Sequence, residues 1–95
     1  MLERRLMDVS SRLKRLRREL SVADEQLLHI DGESDDARLR ALVAETPLAD
    51  ANAREASRHA EAQRRHRDDL TVRIVELERE QDALLDRMAS GIDGG

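Results

Sequence analysis

Two stretches decide how this chain folds: LERRLMDVSSRLKRLRRELSVADEQLLHI, residues 2–30, and AEAQRRHRDDLTVRIVELEREQDALLDRM, residues 60–88. In the first, Leu2, Leu6, Val9, Leu13, Leu16, Leu20, Ala23, Leu27 and Ile30 recur at alternating intervals of four and three. That spacing keeps one narrow stripe of a helix facing a second helix. The second stretch carries a matching series at Ala60, Gln63, Arg67, Leu70, Ile74, Leu77, Gln81, Leu84 and Met88. The two series mirror each other about residue 45: Leu2 falls opposite Met88, Leu13 opposite Leu77, and Ile30 opposite Ala60. A single hairpin, with its arms running in opposite directions, satisfies both.

Local signals place the ends of the helices. Asp31-Gly32 reads as a stop, because glycine can take the left-handed conformation that closes a helix. Ser34 followed by Asp35 and Asp36 reads as a new N-cap with an acidic first turn. Thr46-Pro47 is a further start signal, a capping hydroxyl before proline at the first helical position. The expected organisation is one all-α domain over 1–90, an antiparallel two-helix coiled-coil hairpin with a short third helix at its tip. The helices are expected over about 2–30, 35–45 and 47–89, with 91–95 as a flexible tail.

Toward the bend the stripe continues as Ser34, Ala37, Ala41 and Ala44 against Ala56, Ala53, Ala49 and Thr46, with small residues replacing leucine. Leu39, Leu42 and Val43 do not fit that line, since residues two positions off a seam point away from it. They either pack with Leu28 and Leu48 on the start of the last helix or stay exposed. Packing is the expected arrangement, because contiguous apolar patches are uncommon on soluble monomers. If exposed, Leu28, Leu39, Leu42, Val43 and Leu48 are the candidate partner-binding residues.

Charge is laid out in blocks. Residues 1–20 hold seven basic and three acidic residues, whereas 21–50 hold two basic and eight acidic. Folding back brings the basic start beside the acidic run VELEREQD, so part of the apparent basic patch is neutralised internally. The flanking positions are expected to place Arg12 near Glu80, Glu19 near Arg73 and Asp24 near Arg64, with Arg5 and Arg87 in mild repulsion. Arg67 faces Ala23, which leaves room for its guanidinium to swing toward Asp24.

Composition narrows the function. The 95 residues include no aromatic and no cysteine, and 40% are charged. That argues for a thin helical seam, which has no room for a small-molecule cavity, and against thiolate metal sites and disulfides. No Gly-rich phosphate loop, nucleophile elbow or gathered Ser, His and Asp set is present, so no enzyme, catalytic residue or cofactor is expected. Asp31, Glu33, Asp35, Asp36, Glu45 and Asp50 cluster near the bend, but Asp36 and Leu42 stand where a calcium loop needs glycine and a bidentate glutamate. Capping and solvation account for them. His59 and His66 are two helical turns apart, about 10 Å, too far to share one ion. His29 lies apart from both.

Arg4, Lys14, Arg15 and Arg18 form a modest basic stripe, yet the formal net charge is −4 and no ring is available for stacking, so nucleic acid is not the expected partner. No unbroken apolar stretch suggests a signal peptide or a membrane span, and a cytoplasmic location is the default expectation. A lone hairpin buries little area per residue, and Met7, Val22, Leu28, Val72, Val75 and Leu85 lie off the seam. A protein partner or self-association, including a homodimer, is therefore expected.

Through the run LVAETPLADANAREA at the bend and VELEREQDALLDRM near the end, the chain resembles a group of small coiled-coil proteins of high-GC Gram-positive bacteria that carry no named activity. The 16 arginines against the single Lys14 agree with GC-rich coding. The resemblance implies a non-enzymatic scaffold or adaptor. In shape alone, a hairpin with an acidic tip also resembles the coiled-coil arms of transcript-cleavage factors that enter the secondary channel of RNA polymerase. This chain lacks their tip motif, having no tyrosine and a single asparagine, Asn52, and has no room for their globular domain. A transcription-associated regulator and a weak nucleic-acid binder are the alternative readings.

Overall fold

A computed structural model of the chain describes residues 1–94, with side-chain surroundings for 1–91. It is all-helical. Helix α1 spans Leu2–Ala44 and helix α2 spans Pro47–Gly94, with no strand among the described residues and only Glu45 and Thr46 between the helices. The molecule is a helical hairpin. Its residues gather into two packed units, Met1–Leu20 with Asp69–Gly95, and Ser21–Asp68.

The first unit has the larger apolar side chains. Val9, Leu13, Ile74 and Leu84 form a buried cluster, with Leu2, Leu6, Leu16, Leu20 and Leu77 packed around it. Leu13 is fully buried. Gln81 occupies a seam position and donates from Nε2 to the Ser10 hydroxyl at 3.0 Å, so its amide is not left unsatisfied inside the packing. Along the flanks Arg5 meets Glu80 at 3.5 Å and Arg17 meets Glu78 at 3.2 Å.

The second unit packs on small residues. Ala23, Leu27, Ser34 and Ala60 are its buried positions. The Ser34 and Ser57 hydroxyls lie 3.4 Å apart, Gln63 Nε2 donates to Gln26 Oε1 at 3.2 Å, and Arg64 reaches Asp31 at 2.6 Å. The Arg67 Nε is removed from solvent and lies 3.3 Å from Asp68 and 3.9 Å from Asp24. The swing toward Asp24 takes place.

Four local expectations are corrected. First, Asp31-Gly32 does not stop α1, so the short helix expected over 35–45 is the last part of a 43-residue helix. Gly32 keeps a negative φ, and a Cβ built on it would meet nothing within 4 Å. It lies on the outer side, while Ile30, Ser34, Ala37 and Ala41 carry the stripe past it in unbroken phase and are buried or half-buried. Their packing outweighs the roughly 1 kcal/mol that a mid-helix glycine costs. Ser34 accordingly faces Ser57 and caps nothing.

Second, Leu39, Leu42 and Val43 do not pack inward on Leu28 and Leu48; all five are exposed. Turning them inward would have required the break at Gly32 that does not occur. Third, α2 continues past Ser90-Gly91 to Gly94; the rest of the expected tail, Gly95, lies outside the described residues. Fourth, the flank pairs use the other diagonal neighbour. Glu80 takes Arg5 in place of Arg12, Arg64 takes Asp31 in place of Asp24, and Arg12 turns to Asp8 on its own helix at 3.3 Å. A flanking residue in a hairpin has one opposite-arm neighbour toward each end, and arginine is long enough for either.

Candidate protein-contact surface

The connection between the helices is set by Glu45 and Thr46. Glu45 has φ 52°, the left-handed region, and its N–H bonds the Ala41 carbonyl at 3.0 Å, which closes α1 in the manner usually given to glycine. Thr46 Oγ1 accepts from the Ala49 N–H at 3.1 Å, the N-cap contact expected for a threonine before proline. With only two connecting residues, both helices reach the bend at full length, and side chains pointing outward there have nothing folded over them.

Leu39, Leu42, Val43 and Leu48 are accordingly 61%, 69%, 85% and 72% exposed. Leu39 and Val43 sit one turn apart on α1, with Leu42 beside them. Leu39 and Val43, together with Ala37, Ala44 and Ala49, border an open groove of about 470 Å³, rimmed by Arg40 and Asn52. Leu42 and Leu48 stand outside the groove lining. Leu28, 78% exposed, is eleven residues before Leu39, roughly 16 Å along the helix, with Gly32, Asp35 and Asp36 between them. The five candidate residues are thus four at the bend and one apart.

Sequence reasoning did not identify Ala37, Arg40, Ala44, Ala49 and Asn52 as part of this surface. The stripe of alanines was legible, but it was assigned wholly to contact between the arms; Ala44 is in fact exposed.

The acidic residues nearby are engaged separately. Asp31 is held by Arg64, Glu33 by His29 at 2.8 Å, and Asp35 by Arg38 at 3.7 Å. Among the described residues no group of three or more His, Asp or Glu side chains converges on one point, and no helix is long and apolar enough to cross a membrane. Of the basic residues at the start of α1, Arg5, Arg12 and Arg17 have carboxylate partners. Arg4, Lys14, Arg15 and Arg18 are exposed and make no ion pair among the described residues. Comparison with protein-family models, with curated proteins and with solved structures finds no match for this chain.

Proposed function

We propose that this chain is a non-enzymatic cytoplasmic scaffold or adaptor, an antiparallel coiled-coil hairpin that acts by binding protein through its bend. The single observation that carries the reading is the exposure of Leu39, Leu42, Val43 and Leu48 together. Scattered surface leucines require no explanation, but Leu39 and Val43 line one groove with Ala37, Ala44 and Ala49, and clustered apolar exposure is the mark of an interaction surface. The cross-arm contacts support the coiled-coil form. Ser10 with Gln81, Arg17 with Glu78, Gln26 with Gln63 and Ser34 with Ser57 step down α2 as they step up α1.

The test is a photo-crosslinking side chain placed at Leu42, with a control at the exposed Asp82, in the native host. Protein adducts are expected at position 42 and not at 82. Leu39→Asp with Val43→Asp should abolish them while leaving helicity unchanged by circular dichroism. Adducts that persist in the double variant, or that form at 82 and not at 42, overturn the reading.

A further inference from the structure

We propose that the partner seated at the bend is an amphipathic helix of another protein, with aliphatic residues at one end and arginine about two turns further along, lying lengthwise on one side of the Ser21–Asp68 unit. The inference rests on the bend being a protein-contact surface, and it names the chemistry of the occupant. Asn52, on the rim of the groove bordered by Leu39, Val43 and Ala49, also lines a second open depression of about 300 Å³. The other walls of that depression are Ile30, Glu33, Glu55, Ala56 and His59. Both lie within one packed unit. Together they make a trough that is apolar at the bend and carboxylate-lined beyond Asn52.

Size and charge define what fits. Leu39 and Val43 are one turn apart, and Ala37, Ala44 and Ala49 are too small to hold a partner's backbone away. A helix with aliphatic side chains at the same one-turn interval fills that half. Back along α1, Glu33 lies six residues from Leu39 and ten from Val43, roughly 9 and 15 Å, so a partner residue about two turns on falls over the carboxylates. Glu55 makes no ion pair among the described residues. Glu33 meets His29 at 2.8 Å, and its second oxygen can still accept. Two carboxylates on one trough call for a cation, and the planar fork of arginine serves both better than the point charge of lysine. Arg40, on the rim of the apolar half, disfavours a cation at that end, so charge also sets which way the partner lies. A second copy supplies this pattern poorly. The leucines interleaved with arginine at the start of α1, such as Leu6, Leu13 and Leu16, are packed in their own seam.

The experiment uses a fluorescent synthetic peptide of about 16 residues, long enough to form a helix, with two leucines one turn apart and two arginines about two turns further on. Its anisotropy is followed as the full chain is added. Saturable binding is expected, weakening as salt rises. Glu33→Gln with Glu55→Gln should weaken it at least about tenfold, and so should Val43→Asp, with helicity unchanged by circular dichroism in both. Glu25→Gln with Glu61→Gln, away from the trough, should leave it unaltered. A peptide with glutamate in place of both arginines should not bind.

A peptide that fails to bind overturns the proposal, as does equal binding of the glutamate peptide or indifference to the loss of Glu33 and Glu55. Self-association of the chain that excludes the peptide and is removed by Val43→Asp overturns it in favour of a second copy. The two readings fail separately. Leu42 adducts without peptide binding leave the bend surface and remove this partner, whereas peptide binding without Leu42 adducts leaves the chemistry of the trough and removes the contact in the host.

Discussion

The two packed units follow the same seam spacing and fill it differently. Met1–Leu20 with Asp69–Gly95 buries Val9, Leu13, Leu70, Ile74 and Leu84, whereas Ser21–Asp68 buries Ala23, Leu27, Ser34 and Ala60. Periodicity decides which residues face each other in both. Side-chain size decides how much apolar surface each contact removes from water, at roughly 25 cal/mol per Å². A leucine-filled seam is held by burial. An alanine- and serine-filled seam removes less, and its arms are also linked by Gln63 with Gln26 and Arg64 with Asp31.

The largest expected effect follows from breaking the leucine side of this contrast. Leu13 is fully buried, so Leu13→Ala removes buried methyl groups and leaves a cavity, at a cost of about 2–4 kcal/mol. Urea unfolding followed by circular dichroism measures it. A cost below about 1 kcal/mol would mean that the first unit has no firmer core than the second.

The opposite change tests the other unit. Ser34 is only 4% exposed, and Ser34→Leu forces three extra carbons into a contact built for a hydroxyl. Overpacking of this kind costs about 1–3 kcal/mol. Ser34→Ala should be close to neutral, because its bond to Ser57 is long at 3.4 Å and both hydroxyls are weakly held. If Ser34→Leu stabilised the chain under the same urea titration, the small residues there would not be setting the helix spacing.

Gly32→Ala probes a smaller effect with a definite sign. Gly32 is helical, and a Cβ there meets nothing within 4 Å, so alanine should stabilise by about 0.8–1 kcal/mol and raise the melting temperature. Were Gly32 a helix stop with positive φ, alanine would destabilise instead. The sign alone separates one long α1 from two shorter helices.

This residue also marks where reading the sequence reached its limit. The seams were legible from Leu2 to Met88 because every seam position obeys one spacing, and all eighteen of those residues are buried or half-buried. The break at Asp31-Gly32 was inferred from local propensity, and a phase running undisturbed from Leu27 through Ile30 to Ser34 was the stronger signal. At the bend the situation reverses. Glu45 takes the left-handed conformation although nothing in its side chain favours it, because a connection of only Glu45 and Thr46 requires one residue to turn the chain. The apolar candidates were found by their misfit with the seam. Their exposure was not, since it depends on α1 continuing unbroken past Gly32.

The smallest expected effect gives the finest test of how the second unit is paired. Arg64 and Asp31 are 2.6 Å apart with side chains 49% and 37% exposed, so solvent screening limits the pair to about 0.2–1 kcal/mol. A double-mutant cycle with Arg64→Met and Asp31→Asn should return a coupling in that range, diminishing as salt rises. The parallel cycle of Arg64 with Asp24 should return none, because Asp24 lies beside Arg67. Coupling to Asp24 and not to Asp31 would shift the flank pairing by one heptad toward the first unit. The seam itself would be untouched, since Leu27 and Gln63 occupy it in either case, and this is why apolar spacing could not decide between the two diagonals while a measured charge coupling can.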